Sequence, residues 1–141
     1  MNLKTKKMIS MEELLSGQCE LKDLSVEQQT NISDLFVKVN KVREKYGKAM
    51  IVTSGYRTMK HHLAIYKRKG KVPPNVPMKS NHLYGRACDI SDPKQTLQKW
   101  CKENVKFLEE VGLWMEDFSA TKTWVHFQIN PPKSGKRFYM P

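Results

Sequence analysis

Three residues, far apart along the chain, limit how it can fold more than any others. His82 and Asp89 lie too far apart to be a ligand pair one helical turn apart, and His126 comes much later. For the three to share a site, the chain must reverse between the first two and return a distant segment beside them. Gly85 stands between His82 and Asp89, and glycine takes backbone angles that other residues avoid. Two imidazoles and a carboxylate suit zinc, and three protein ligands leave a fourth position for water, the pattern of a catalytic zinc site. The chain then reads as a hydrolase. The competing reading is three unrelated polar residues, so the surrounding segments decide.

Those segments give a helical first part and a strand-rich second part. Ser10 with Glu13, and Ser25 with Gln28, have the capping-box spacing that starts a helix. Ile32, Leu35, Phe36, Val39 and Val42 recur at helical intervals, predicting a long helix that ends near Tyr46 before Gly47. Ala49–Ser54 and Ala87–Ile90 read as strands, His61–Tyr66 as a helix, and the proline-bearing stretch Gly70–Pro77 as a loop. One helix is expected over Pro93–Val111. Leu113–Glu116 and Trp124–Ile129 form a hairpin, and Phe138 and Tyr139 anchor a basic tail. This order predicts an α+β fold with an antiparallel sheet.

Composition narrows the function. The 141 residues suit one domain over 1–141, with a loose basic start at Met1–Lys7 and a short C-terminal tail. At 39% hydrophobic residues the chain is too apolar for disorder throughout. Lys plus Arg number 25 against 14 Asp plus Glu, a formal net charge of +11. That excess favours a polyanionic partner such as nucleic acid or bacterial cell wall, or serves solubility alone. No zinc-finger cysteine set, RNP-like strand or recognition-helix signature supports nucleic acid, so none is expected as a partner. Cys19, Cys88 and Cys101 have no paired short spacing, which points to a reduced compartment. No secretory leader of the usual kind and no stable membrane insertion are expected.

Ser80-Asn81-His82-Leu83-Tyr84-Gly85-Arg86-Ala87-Cys88-Asp89 resembles the Ser-x-His-x-x-Gly-x-Ala-x-Asp signature of the zinc-dependent D-alanyl-D-alanine peptidase family. That family includes cell-wall carboxypeptidases and phage endolysins and shares its fold with the hedgehog signalling domain. Ser54-Gly55-Tyr56-Arg57-Thr58 is similar to its upstream segment, and Trp124-Val125-His126-Phe127 to the strand bearing its last ligand. The resemblance implies the hedgehog/DD-peptidase fold, a small antiparallel sheet packed against helices. It implies that His82, Asp89 and His126 hold Zn2+ and that Arg57 supports a substrate carboxylate or a developing oxyanion. The substrate it implies is bacterial peptidoglycan, cut at a peptide amide by a monomeric endolysin-type murein endopeptidase. A D-alanyl-D-alanine carboxypeptidase, or an inactive zinc-containing wall-binding or structural virion protein, are the other readings. An endolysin would wait in the host cytoplasm for holin-dependent release; the alternative is a virion-associated protein.

One position departs from the family pattern. Many members carry an acid three residues before the last histidine, where this chain has Thr123. Glu116 or Asp117, on the first arm of the hairpin, then supplies the general base. Glu116 is favoured if residues 116 and 126 face each other across the hairpin, and Asp117 if the register shifts by one. Both acids also fit a purely structural role in the turn. His61 and His62 line the cleft or face solvent at a helix start. Trp124 shares the His126 face and can wall the cleft. Arg86 makes an anion contact or is simply solvated. Cys88, Cys101, Trp100, Trp114 and Phe107 are expected in the core.

Overall fold

The computed structural model describes residues 8–141. The basic start expected at Met1–Lys7 lies outside the described residues. Helix α1 spans Met11–Leu14, α2 Val26–Tyr46, α3 Met59–Arg68, α4 Thr96–Glu103 and α5 Val105–Val111. Strands are β1 Val52–Ser54, β2 Ala87–Ser91, β3 Trp114–Glu116, β4 Trp124–Gln128 and β5 Phe138–Tyr139. They form one sheet in the order β1-β2-β4-β3-β5. The class is α+β. All neighbouring pairs are antiparallel except β3 and β5, which run parallel. The expected antiparallel sheet is therefore mixed, because the tail returns alongside β3 in the same direction.

Both expected capping boxes are present, at Ser10 with Glu13 and at Ser25 with Gln28. Gly47 ends α2 in the left-handed region, at φ 75°. The stripe Ile32, Leu35, Val39 and Val42 is fully buried. It joins one core with Cys88, Ile90, Val125, Phe127 and Met115 from the sheet, and with Leu97, Cys101 and Leu108 from α4 and α5. Burying a Leu or Ile of this kind contributes about 1.5–3 kcal/mol. Alternation along β2 and β4 then turns Asp89 and His126 to the opposite face.

The helix expected over Pro93–Val111 is two helices. The carboxylate of buried Asp92 accepts from the backbone N–H groups of Leu97 at 3.0 Å and Gln98 at 2.8 Å, so regular helix begins at Thr96. Asn104 then leaves helical geometry (φ −127°, ψ 34°), and its side chain donates to the Trp100 carbonyl at 2.8 Å. This side-chain bond competes with the backbone ladder. Trp100 and Phe107 are half-buried and pack against the core from outside, and Trp114 is half-buried as well. The strand expected from Ala49 shortens to Val52–Ser54.

Candidate metal centre and cleft

Sheet register assembles the site. Ser54 pairs with Asp89, and Asp89 with His126. Trp114 pairs with Gln128 and Met115 with Phe127, a register that continues to bring Glu116 opposite His126. Glu116 in turn pairs with Tyr139. A single row therefore crosses all five strands: Ser54, Asp89, His126, Glu116, Tyr139. Residues in one row project from the same face.

His82 reaches this row from the 3-10 turn Asn81–Tyr84. Ser80 caps that turn, accepting from the His82 N–H at 3.3 Å, and Gly85 closes it at φ 73°. A Cβ on Gly85 would also stand 3.1 Å from the Gln28 carbonyl on α2. Gly55 allows a still closer approach, since a Cβ there would fall 2.1 Å from the Leu14 carbonyl.

His82 Nε2 lies 3.5 Å from Asp89 Oδ2, and His126 Nδ1 2.9 Å from Asp89 Oδ1. All three ligand atoms fall within 4.8 Å of one another. The outer nitrogens are already committed. His82 Nδ1 donates to the Gly55 carbonyl at 2.9 Å, and His126 Nε2 donates to Gln128 Oε1 at 2.8 Å. The Gln128 amide is oriented by its own Nε2, which donates to the Asn130 carbonyl at 2.8 Å. A carbonyl oxygen can only accept, so each ring keeps its outer proton and points its inner nitrogen at Asp89, where a metal would replace the hydrogen bond to the carboxylate. Metal-binding histidines are held in this manner. Two inward nitrogens and a carboxylate are a donor set that fits zinc.

Charge in the cluster is polarised. Burial alone would raise the Asp89 pKa, but hydrogen bonds from His126 and His82, with their charge, hold it well below the usual carboxylate range. Burial works against a charged His126, yet the Asp89 bond and charge leave its pKa above the ordinary histidine value. Cys88, on the neighbouring position, faces the core, and burial pushes its thiol far up.

Glu116 lines the same cleft, with Oε1 4.0 Å from His126 Nδ1. Asp117 turns away: its Oδ1 accepts from the Ser119 hydroxyl at 2.7 Å and from the Ser119 N–H at 3.0 Å. Thr123 is exposed. Arg57 stands at the far side. Its backbone N–H donates to the His82 carbonyl at 3.1 Å, its Nε to Ser54 Oγ at 3.2 Å, and its Nη1 to His62 Nδ1 at 3.5 Å.

The sequence profile of the family Peptidase M15 matches residues 7–128. The chain belongs to the Peptidase M15 family. This is a zinc D-Ala-D-Ala peptidase family. No curated protein and no solved structure matches the chain.

In this M15 chain the cleft encloses about 340 Å³ and is also lined by Tyr66, Lys69, Lys79, Asn81, Trp124 and Gln128. Sequence reasoning missed Gln128, which holds the outer nitrogen of His126. Its signal was present, since it shares the His126 face two residues on. It also missed the work of His62, which is fully buried, donates from Nε2 to the Pro77 carbonyl at 2.6 Å and accepts from Arg57. Burial lowers the His62 pKa. Nothing in the local sequence separates His62 from His61, which is half-buried and does not line the cleft. Arg86 also stays outside the cleft, near Glu27 at 3.5 Å and over the Tyr84 ring.

Proposed function

We propose that this chain is a zinc-dependent peptidase that hydrolyses amide bonds in bacterial peptidoglycan, in the manner of an endolysin-type murein endopeptidase. The observation that carries the reading is the row Asp89, His126 and Glu116, with His82 beside it and Arg57 across the cleft. Zinc, when bound by His82, Asp89 and His126, supplies a water acidic enough to ionise near neutral pH and a Lewis acid for the substrate carbonyl.

The chain's own residues do the rest. Glu116 accepts the proton of the attacking water and delivers it to the leaving amine. Arg57, fixed by Ser54 and His62, offers its remaining N–H groups to a substrate carboxylate or to the carbonyl oxygen as it becomes negative. Trp124 and Tyr66 provide flat walls for the peptide. Gln128 keeps His126 in the tautomer that ligation needs.

Lys69 and Lys79 in the cleft, with Arg57, favour an anionic substrate segment. They also support the second reading, a carboxypeptidase acting beside a terminal carboxylate. The net charge of +11 draws the protein to the anionic wall. In the endolysin setting it accumulates in the host cytoplasm and reaches the wall after membrane opening; a virion-borne wall hydrolase would use the same chemistry. The deciding experiment is mass spectrometry of muropeptides released from purified peptidoglycan by zinc-loaded protein. New internal ends are expected; release of single D-alanine residues would give the carboxypeptidase. No release would leave a zinc-containing wall-binding or structural protein.

A further inference from the structure

Strand β5 lies beyond the stretch matched by the Peptidase M15 profile, yet it contributes to the cleft. Its seating is specific. Arg137 donates from Nη1 to the Leu113 carbonyl at 2.8 Å, and its guanidinium lies 4.5 Å from the Trp114 ring centre. The Met115 N–H donates to the Arg137 carbonyl at 2.8 Å, and the Asp117 N–H to the Tyr139 carbonyl at 2.7 Å. Phe138 packs edge-on against Phe118, with centroids 5.3 Å apart. Phe138 thus faces inward, and alternation turns Tyr139 into the cleft in the row with Glu116 and His126.

The Tyr139 hydroxyl donates to Gln128 Oε1. That oxygen also accepts from His126 Nε2 at 2.8 Å and from Asn81 Nδ2 at 3.1 Å. Three donors converge on an atom with two lone pairs. The imidazole and amide N–H groups are fixed by their planar frames. The phenol proton alone can swing about its C–O bond while its oxygen stays in place. Of the three, it is the donor that can leave Gln128 without any heavy atom moving.

We propose that Tyr139 is a catalytic residue of this cleft: its hydroxyl turns from Gln128 to donate a hydrogen bond to the scissile carbonyl oxygen as that oxygen becomes negative. The role rests on the peptidase reading. As the water oxygen bonds to the carbonyl carbon, the carbonyl π pair moves onto the carbonyl oxygen, and the water proton goes to Glu116. Tyr139 keeps its own proton throughout and contributes only the hydrogen bond.

Tyr139→Phe tests this, because it removes the hydroxyl and keeps the ring and the β5 backbone pairing. Zinc content would be measured beside kcat and KM on soluble cross-linked muropeptides. Binding of a phosphinate analogue of the scissile peptide, a tetrahedral anion, would be measured in parallel. The expected result is full zinc content, a kcat lower by on the order of 10²-fold with KM nearly unchanged, and analogue binding weakened by a similar factor. Undiminished kcat in Tyr139→Phe overturns the role. So does zinc loss that accounts for the fall in rate, since Tyr139 would then act only through Gln128 on His126. Absence of turnover by the zinc-loaded parent protein overturns the peptidase reading itself.

Discussion

The cleft has two walls, stabilised in different ways. On the sheet wall, His126 is buried and tied at both nitrogens, and Asp89 receives both histidines. Behind it stands the main core, with Ile90, Val125 and Phe127. The opposite wall is the arm from Arg57 to Ser80, made of α3 and the loop after it. Between Arg57 and Asn81 only His62 and Val76 are buried. Polar bonds tie the arm down at its two ends: Arg57 N–H to His82, Arg57 Nε to Ser54 and Thr58 N–H to Gln18 at one, and Ser80 accepting from the His82 and Leu83 N–H groups at the other, with His62 linking Arg57 to Pro77 inside the arm. In the proposed reaction the wall tied to the core sets the chemistry and the wall held by polar bonds sets the grip on the substrate; regions with little buried apolar contact open most readily.

The largest effect is expected from the sheet wall. His82→Ala and His126→Ala should lose stoichiometric zinc and all measurable turnover, as should chelation of the parent protein, with zinc restoring the rate. Asp89→Ala should weaken zinc strongly, while Asp89→Asn keeps part of the occupancy. Metal analysis beside a turnover assay checks each. Full activity in a metal-free protein would dissolve the distinction between the walls.

Glu116 belongs to the sheet wall by position but lies outside the His82, Asp89 and His126 group. Glu116→Gln preserves shape and should keep the metal while lowering turnover on the order of 10²-fold or more. Asp117→Asn should change little, because Asp117 is engaged with Ser119 in the turn. The paired measurement is zinc content and kcat for both variants. Collapse in Asp117→Asn with full activity in Glu116→Gln would move the base to the other acid.

The contrast also explains what could be read in the chain. The Ser10 and Ser25 capping boxes, the α2 stripe and the Gly85 turn each depend on residues close in sequence, so pattern alone locates them. The row across five strands depends on long-range register. His126 and Glu116 could be placed face to face only as one of two options, and the parallel return of β5 had no local signature at all. Asp92 broke the expected helix start through a buried carboxylate whose acceptors are used five and six residues later. His62 illustrates the same limit, since its partner Pro77 sits at the end of a loop whose path the sequence does not specify.

On the arm, His62 should matter through Arg57. His62→Asn keeps an acceptor near the Nδ1 position facing Arg57, whereas His62→Gln keeps a donor near the Nε2 position facing Pro77. If holding the guanidinium is what counts, His62→Asn should stay near the parent rate. His62→Gln should then lose on the order of 10-fold in kcat/KM, the scale of a lost supporting contact. In an Arg57→Ala background, the two substitutions should have equal effects. Steady-state kinetics in both backgrounds gives the answer. Loss confined to His62→Asn would show that the tie to Pro77 is what His62 provides, and equal losses would leave packing alone.

The smallest effect expected is also the farthest from the metal. From Lys45 to Cys88 the chain carries no Asp or Glu. The arm exposes Lys60, Lys67, Arg68, Lys69, Lys71 and Lys79, with Lys69 and Lys79 at the cleft itself. A cationic surface attracts an anionic polymer over roughly a Debye length, about 8 Å at physiological ionic strength and about 3 Å at 1 M. Added salt should therefore weaken attachment to isolated cell walls several-fold, by sedimentation assay, while kcat/KM on a short soluble stem peptide falls much less. Charge reversal at Lys67, Arg68 and Lys71, which do not line the cleft, should reproduce the effect of salt on attachment and leave soluble turnover near the parent value. If salt or charge reversal reduces both substrates equally, the loss lies in the active site or in folding. The arm's charge would then have no separate part in holding the wall.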